Sequence, residues 1–121
     1  MLRPLLGSWI HLINVIMISI YNVELDNEAI ATNLNRLCNQ TYRLLPMREE
    51  EEEWVKPLET SLIEIIGLND LLGQIPDFIT LISKMQGIYN LKNDMDFMLF
   101  RRTIFECCGL LTKLKDSVTQ Q

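Results

Sequence analysis

The chain has 121 residues, of which 48% are hydrophobic and 22% are charged, and its formal net charge is -5. This length suits one domain with its own core, and the composition excludes an intrinsically disordered chain. The acidic balance argues against a general binder of nucleic-acid phosphates. The acid is concentrated in residues 1–74, which carry eleven acidic and five basic groups, whereas residues 75–121 carry five acidic and six basic groups.

Residues 1–23 are predicted to form an apolar, amphipathic helical segment. Residues 4–23 include no Asp, Glu, Lys or Arg, and a stretch of this length can span a bilayer. Its apolar side chains recur at spacings of three and four, the period of one helical face. They are Leu6, Trp9, Ile13, Ile16, Ile20 and Val23. A packed helix is therefore favoured over a membrane span. It is also favoured over a signal peptide, because no small-residue cleavage site follows the apolar run. Met17 is an alternative start, which would leave residues 18–23 as the first element.

A helical bundle domain is predicted over residues 24–121. Its first helix has Asp26 or Asn27 as its N-cap and Glu28 in the first turn, where the helix dipole favours acid. Pro46 is expected to end this helix. The apolar stripe of the helix is Ile30, Leu34, Leu37, Thr41 and Leu44.

Two shorter helices are predicted in the middle of the domain. One starts at Pro57 and ends at Gly67, and the other starts near Pro76, with residues 69–75 as a turn between them. The stripe of the first is Leu58, Leu62, Ile65 and Ile66. The face of the second is Phe78, Ile82, Met85 and Tyr89.

The final helix, residues 97–118, carries the strongest pattern in the chain. It follows a link at residues 90–93, and Asn93 or Asp94 is expected to cap it. Its apolar positions alternate at spacings of three and four over three heptads. This seam is Phe97, Phe100, Ile104, Cys107, Leu111, Leu114 and Val118, and Met98, Phe105 and Cys108 broaden it. The pattern predicts an all-α fold, a single compact bundle of four to five helices. The seam packs within the chain by default and otherwise offers a homo-oligomer contact through the 97–118 helix.

Cysteine usage predicts a reducing compartment, the cytoplasm. The three cysteines are Cys38, Cys107 and Cys108, an odd number without C-x-x-C spacing, so no disulfide framework is implied. The chain has one histidine, which is too few for a Cys/His zinc site. Cys107 and Cys108 are expected to act as small hydrophobic side chains. Neither a metal nor a cofactor is expected.

The first candidate functional site is a run of five glutamates between Arg48 and Trp54. Like charges repel one another, stay hydrated and attract a basic partner. The sequence therefore favours a non-enzymatic protein–protein interaction module, an acidic helical adaptor, regulator or inhibitor that docks on a basic surface. Its partner-binding residues would be Glu49, Glu50, Glu51, Glu52 and Glu53, with Trp54 as the anchor. The plain alternative is a solvated charge run before a helix.

Two other functions stay open at this point. A small helical subunit of a nucleoprotein complex would contact phosphates through Arg101, Arg102, Lys113 and Lys115, although Glu106 and Asp116 interrupt this stripe. An Mg²⁺-dependent enzyme of the all-α nucleotide pyrophosphatase kind would need paired carboxylate sets on facing helices. Glu49-x-x-Glu52 or Glu50-x-x-Glu53 supplies half of such a pair, and no E-x-x-D half is present. Nucleotide-binding, zinc-protease and serine-hydrolase motifs are also absent from the sequence, so an enzyme is not expected.

Overall fold

The computed structural model describes residues 27–119, and these form a four-helix bundle. The helices are α1 (Asn27–Glu49), α2 (Val55–Leu72), α3 (Pro76–Leu91) and α4 (Phe97–Thr119), with a 3-10 turn, Lys92–Asp94, before α4. No strand occurs in this range, so the prediction of an all-α bundle is confirmed. No helix among the described residues has the length and apolarity needed to cross a membrane. The predicted segment 1–23 and the alternative start at Met17 lie outside the described residues.

Neighbouring helices run antiparallel around the bundle. Arg36 on α1 pairs with Glu64 on α2. Asp77 at the start of α3 pairs with Lys113 near the end of α4, whereas Lys84, further along α3, pairs with Glu106, nearer the start of α4. The closest-packed helices are α1 and α4, the first and the last of the bundle. The short connections and the α1–α4 contact together give an up-down-up-down arrangement closed into a ring.

The core is built from one apolar stripe on each helix. Fully buried members are Leu34, Leu37, Leu44, Leu58, Leu62, Ile65, Phe78, Leu81, Met85, Ile88, Phe100, Ile104, Cys107 and Leu111. Each large side chain of this kind contributes about 1.5–3 kcal/mol by leaving water. The central positions of the α4 seam are therefore used inside the chain, as the default interpretation expected. A homo-oligomer through residues 97–118 would have to use another face of α4.

The ends of α1 and α2 differ from the prediction. Pro46 lies inside α1, which continues to Glu49, because the added turn lets Arg48 pack against the core and reach backbone carbonyls near α4. The second helix starts at Val55 instead of Pro57 and passes through Gly67, which is buried within the helix. Gly73 ends it, with a φ of 90° that suits glycine.

The α2–α3 turn explains why Gly73 and not Gly67 ends the helix. The buried side chain of Asn69 accepts a hydrogen bond from the Ile75 backbone at 2.9 Å, and the Gln74 backbone donates to the Asn69 carbonyl at 2.9 Å. Both bonds require α2 to continue past residue 69. They place Pro76 at the start of α3, where the sequence predicted it.

Helices α3 and α4 differ from the prediction in one stripe and one cap. Leu81 and Ile88 are buried on α3, whereas Ile82 and Tyr89 are only half-buried, so the stripe is rotated slightly from the predicted face. The predicted 90–93 link is also shorter, since α3 continues to Leu91. The N-cap side chain of α4 is Asp96 rather than Asn93 or Asp94. Its Oδ2 accepts hydrogen bonds from the Met98 and Leu99 backbones at 3.1 and 3.2 Å.

Candidate interaction surface

The five glutamates form an ordered turn at the C-terminal end of α1. The Glu52 backbone donates to the Met47 carbonyl at 2.9 Å, and the Glu51 backbone donates to the Arg48 carbonyl at 3.1 Å. Glu51 has a φ of 57°, so these bonds form a Schellman motif with glutamate where glycine is usual. The backbone that carries the acid is therefore fixed, while all five side chains are exposed.

One of these glutamates, Glu53, stabilises the fold through its side chain. Oε1 of Glu53 accepts hydrogen bonds from the backbones of Val55 and Lys56, both at 3.1 Å, and so caps the start of α2. The side chains of Glu49–Glu52 make no hydrogen bond or ion pair within residues 27–119. The described part of the chain thus leaves four carboxylates without an internal partner at one end of the bundle.

Trp54 is part of the core and is not a surface anchor as the sequence had suggested. Its side chain is 3% exposed, and its indole N–H donates to Oδ1 of Asn93 at 3.1 Å. Its ring meets Phe100 edge to face, with centroids 5.0 Å apart. A partner could bury the indole only after the fold had released it, so Trp54 contributes to stability instead.

Arg48 ties the same turn to the start of α4. Its guanidinium lies 4.6 Å from the Phe100 ring centroid and 5.6 Å from that of Trp54. It donates hydrogen bonds to the backbone carbonyls of Met95 and Asn93. Arginine suits this position because its planar cation stacks on rings and still donates at its edge. We call Arg48, Trp54, Asn93 and Phe100 the Arg48–Trp54 cluster.

A cleft of about 660 Å³ separates this cluster from the acidic turn. Its lining residues are Arg48, Glu51, Glu52, Glu53, Trp54, Val55 and Asn93. No three His, Cys, Asp or Glu side chains anywhere in residues 27–119 are placed to hold a metal ion. The structure therefore does not bring a second carboxylate set to Glu49-x-x-Glu52 within that range.

The four basic residues of the alternative site differ in what they contact. Arg101 stacks over Phe105, with its guanidinium carbon 5.3 Å from the ring centroid. Arg102 lies 3.8 Å from Glu106, and Lys113 lies 3.4 Å from Asp77 on α3. Lys115 is half-buried. Three of the four cations thus already have partners in the bundle.

Sequence reasoning missed an exposed aromatic surface between α1 and α4. Phe105 and Met98 were expected to broaden the buried stripe, but they are 44% and 63% exposed. Phe105 meets Tyr42, itself 42% exposed, edge to face with centroids 5.7 Å apart. We call Tyr42, Met98, Arg101 and Phe105 the α1/α4 patch. The missed signal was the position of Met98 and Phe105 outside the alternating seam, on the flank of α4.

Glu49, the first residue of the acidic turn, lies on the same side of α1 as the α1/α4 patch. Tyr42 and Glu49 are seven residues apart on α1, and seven residues make almost two full turns. Their side chains therefore leave α1 in nearly the same direction, about 10 Å apart along its axis. An apolar surface and the carboxylate of Glu49 are thus available to one partner.

The sequence matches no protein-family model, and neither curated proteins nor solved structures give a significant match.

Proposed function

We propose that this protein is a non-enzymatic protein–protein interaction module, an acidic adaptor, regulator or inhibitor that docks on a basic surface of its partner. The supporting observation is the state of Glu49–Glu52, which an ordered turn holds in place and which find no cation within residues 27–119. A fixed cluster of free carboxylates binds a cationic surface with less ordering cost than a flexible tail does.

The position of the acid adds to this argument. The C-terminal end of a helix carries partial negative charge, so glutamates there are unfavourable by a few tenths of a kcal/mol each. Four such side chains that repel one another reduce the stability of the bundle, and they support no contact with residues 27–119. A local arrangement that disagrees with the fold in this way is typical of a functional surface.

The α1/α4 patch supports a protein as the partner. Aromatic residues, methionine and arginine are enriched in the centres of protein interfaces, and the patch contains all three kinds. Phe105 and Tyr42 take the anchoring role that the sequence had given to Trp54. In this proposal the glutamates steer a basic partner into place and the patch supplies the apolar contact that holds it.

The alternatives have less support from the described residues. A nucleic-acid contact needs free cations on one face, and Arg101, Arg102 and Lys113 are engaged with a ring or a carboxylate. A carboxylate metal enzyme needs a ligand set that residues 27–119 do not assemble. We also propose that the protein acts in the cytoplasm, which the cysteine usage of the sequence favours.

The proposal is tested by capturing partners of the full chain from a lysate of its own host. Three proteins are compared: the wild type, the double variant Glu50→Lys/Glu52→Lys, and the matched control Glu28→Lys/Asp116→Lys. Both variants change the net charge by the same amount, and all four positions are exposed. Mass spectrometry identifies bound proteins, and the absorbance ratio at two wavelengths detects nucleic acid.

We expect one basic protein on the wild type and on the control, but not on Glu50→Lys/Glu52→Lys. Its affinity should fall steeply with salt, because screening weakens contacts between exposed charges. Retention of the same partner by Glu50→Lys/Glu52→Lys would refute the role of the acidic turn. Nucleic acid that binds the wild type and is lost with Arg101→Ala/Arg102→Ala would instead establish the nucleoprotein alternative.

A further inference from the structure

Two cysteines face each other across the α1–α4 contact. The sulfur of Cys38 on α1 lies 3.8 Å from the backbone oxygen of Cys108 on α4. The sulfur of Cys108 lies 3.7 Å from the backbone oxygen of Cys38. Such reciprocal contacts require both side chains to point into the same layer between the helices. The two thiols are also within side-chain hydrogen-bonding reach of each other.

The two thiols differ in their access to solvent. Cys108 is buried, whereas Cys38 is half-buried and also lies 4.0 Å from the hydroxyl of Thr112. Burial first, and the neighbouring Cys38 thiol second, raise the pKa of Cys108. Cys38 is therefore the thiol that a reagent in solution reaches first.

Cys107 provides an internal comparison, although it is adjacent to Cys108 in sequence. Neighbouring residues point about 100° apart around a helix, and Cys107 lies fully buried in the α4 seam. Burial raises the pKa of its thiol to about 12. Because burial raises the pKa of both Cys107 and Cys108, it is the direction in which Cys107 points, into the seam, that makes it unsuited to exchange with Cys38.

We propose that Cys38 and Cys108 are a redox pair that closes into a disulfide between α1 and α4 when the protein meets a small-molecule disulfide such as oxidised glutathione. The Cys38 thiolate attacks one sulfur of oxidised glutathione, the glutathione S–S bond breaks, and one glutathione leaves as a thiolate and takes up a proton. Cys108 then loses its proton and attacks the Cys38 sulfur, which releases the second glutathione. Two protein thiols are oxidised, and one glutathione disulfide is reduced to two thiols.

The bond would fasten the first helix of the bundle to the last. A link between residues 38 and 108 closes a long loop of the unfolded chain, which raises the stability of the folded state relative to it. It would also fix the helices on which the α1/α4 patch is carried, since Tyr42 lies one turn from Cys38. This inference is independent of the proposed function, because it concerns only the chemistry of the two thiols.

The experiment exposes the full, reduced chain to oxidised glutathione at mildly alkaline pH, where thiolates form more readily. We expect the loss of two hydrogen atoms from the intact mass without added glutathione. Proteolysis should yield one linked peptide pair that contains Cys38 and Cys108 and separates on reduction. The melting temperature should rise by about 5 °C or more and return when dithiothreitol is added.

The three single variants separate the cysteines. Cys107→Ala should still form the link, whereas Cys38→Ser and Cys108→Ala should not, and alanine at the buried positions 107 and 108 avoids placing an unpaired hydroxyl in the core. A link that joins Cys38 to Cys107 would overturn the proposal. So would a product in which Cys38 retains glutathione without closing on Cys108, or a folded chain whose thiols stay reduced at high oxidant.

Discussion

Residues 48–54 divide into two regions that behave oppositely although they are continuous in sequence. Arg48 and Trp54, at the two ends, pack against aromatic rings and donate hydrogen bonds to residues just before α4. Of the five exposed glutamates between them, Glu53 caps α2, and Glu49–Glu52 make no hydrogen bond or ion pair within residues 27–119. A planar cation finds rings and carbonyl oxygens inside this bundle, whereas clustered carboxylates find no cation there. The comparison shows that one turn both stabilises the fold and displays charge.

The largest expected effect is on the buried side of this comparison. Trp54→Ala should lower the free energy of unfolding by about 3–5 kcal/mol, because it empties a core position beside Phe100. Trp54→Phe keeps a ring but loses the N–H bond to Asn93, so its effect should be smaller. Urea unfolding of both variants measures the difference. A loss below about 1 kcal/mol for alanine would place Trp54 outside the stabilising cluster.

Replacing the half-buried cation of Arg48 should have the next largest effect. Arg48→Met keeps the aliphatic stem but loses the ring stacking and the hydrogen bonds to Met95 and Asn93, which together amount to about 2–3 kcal/mol. Arg43→Met, on the exposed face of the same helix, is the control and should change stability by less than about 0.5 kcal/mol. Equal losses of stability in the two variants would mean that the ring and carbonyl contacts of Arg48 do not stabilise the fold.

At alkaline pH, the free energy of unfolding should depend on a further buried group, the Cys107 thiol. Burial raises its pKa from 9.0 to about 12, so between these values the unfolded chain loses the proton and the folded chain keeps it. Stability should therefore be intact below pH 9 and fall above it, by up to about 1.4 kcal/mol per pH unit for this thiol. Cys107→Ala should flatten the decline from pH 9 to 10 in urea unfolding. An unchanged slope would refute this contribution.

On the solvent-exposed side of this comparison, replacing Glu51 by glycine is expected to increase stability. Glu51 adopts a φ of 57°, which glycine tolerates better, so Glu51→Gly should stabilise the bundle by about 0.5–1 kcal/mol. Gln74 has a φ of 63° but its side chain bonds to Asn69 and Asp70, so Gln74→Gly should give no gain. Melting temperatures of both variants test this. Destabilisation by Glu51→Gly would mean that its side chain supports the turn.

The smallest effect concerns the charges themselves. Glu49→Gln/Glu50→Gln/Glu52→Gln should raise stability by only a few tenths of a kcal/mol at low salt, because it removes repulsion at the negative end of α1. Glu53 is left unchanged because it caps α2. The gain should vanish in about 1 M salt, where the screening length is about 3 Å. A loss of stability would reveal an internal contact of these carboxylates.

The sequence predicted the parts of this fold that depend on periodicity. The five central positions of the α4 seam and the stripe of α1 are buried where their spacing placed them, whereas Phe97 and Val118 at the two ends of the seam are half-buried. The ends of the helices could be predicted less well from the sequence, because they depend on contacts between residues far apart in the chain. Pro46 looks like a terminator until Arg48 is seen to reach Met95, and Gly67 looks like a cap until Asn69 is seen to hold the next turn.

The candidate site shows the same limit. The glutamates were identified from composition alone, and their exposure follows from charge density. The burial of Trp54 was not predictable, since an aromatic beside five glutamates appears solvated until Phe100 and Asn93 are brought next to it by the fold. Nor does the spacing of Phe105 reveal that its ring meets Tyr42 of the first helix, because that contact joins residues far apart in sequence.

The closing of the ring by α1 and α4 has a practical consequence for attachment chemistry. Asn27 and Glu28 at the beginning of α1 line a shallow surface with Val118 and Thr119 at the end of α4. Both therefore lie at the same pole of the bundle, about 30 Å along α1 from the glutamate turn. A fluorophore or a sensor surface coupled to an exposed residue at this pole would therefore stand at the opposite end of the described bundle from the glutamate turn.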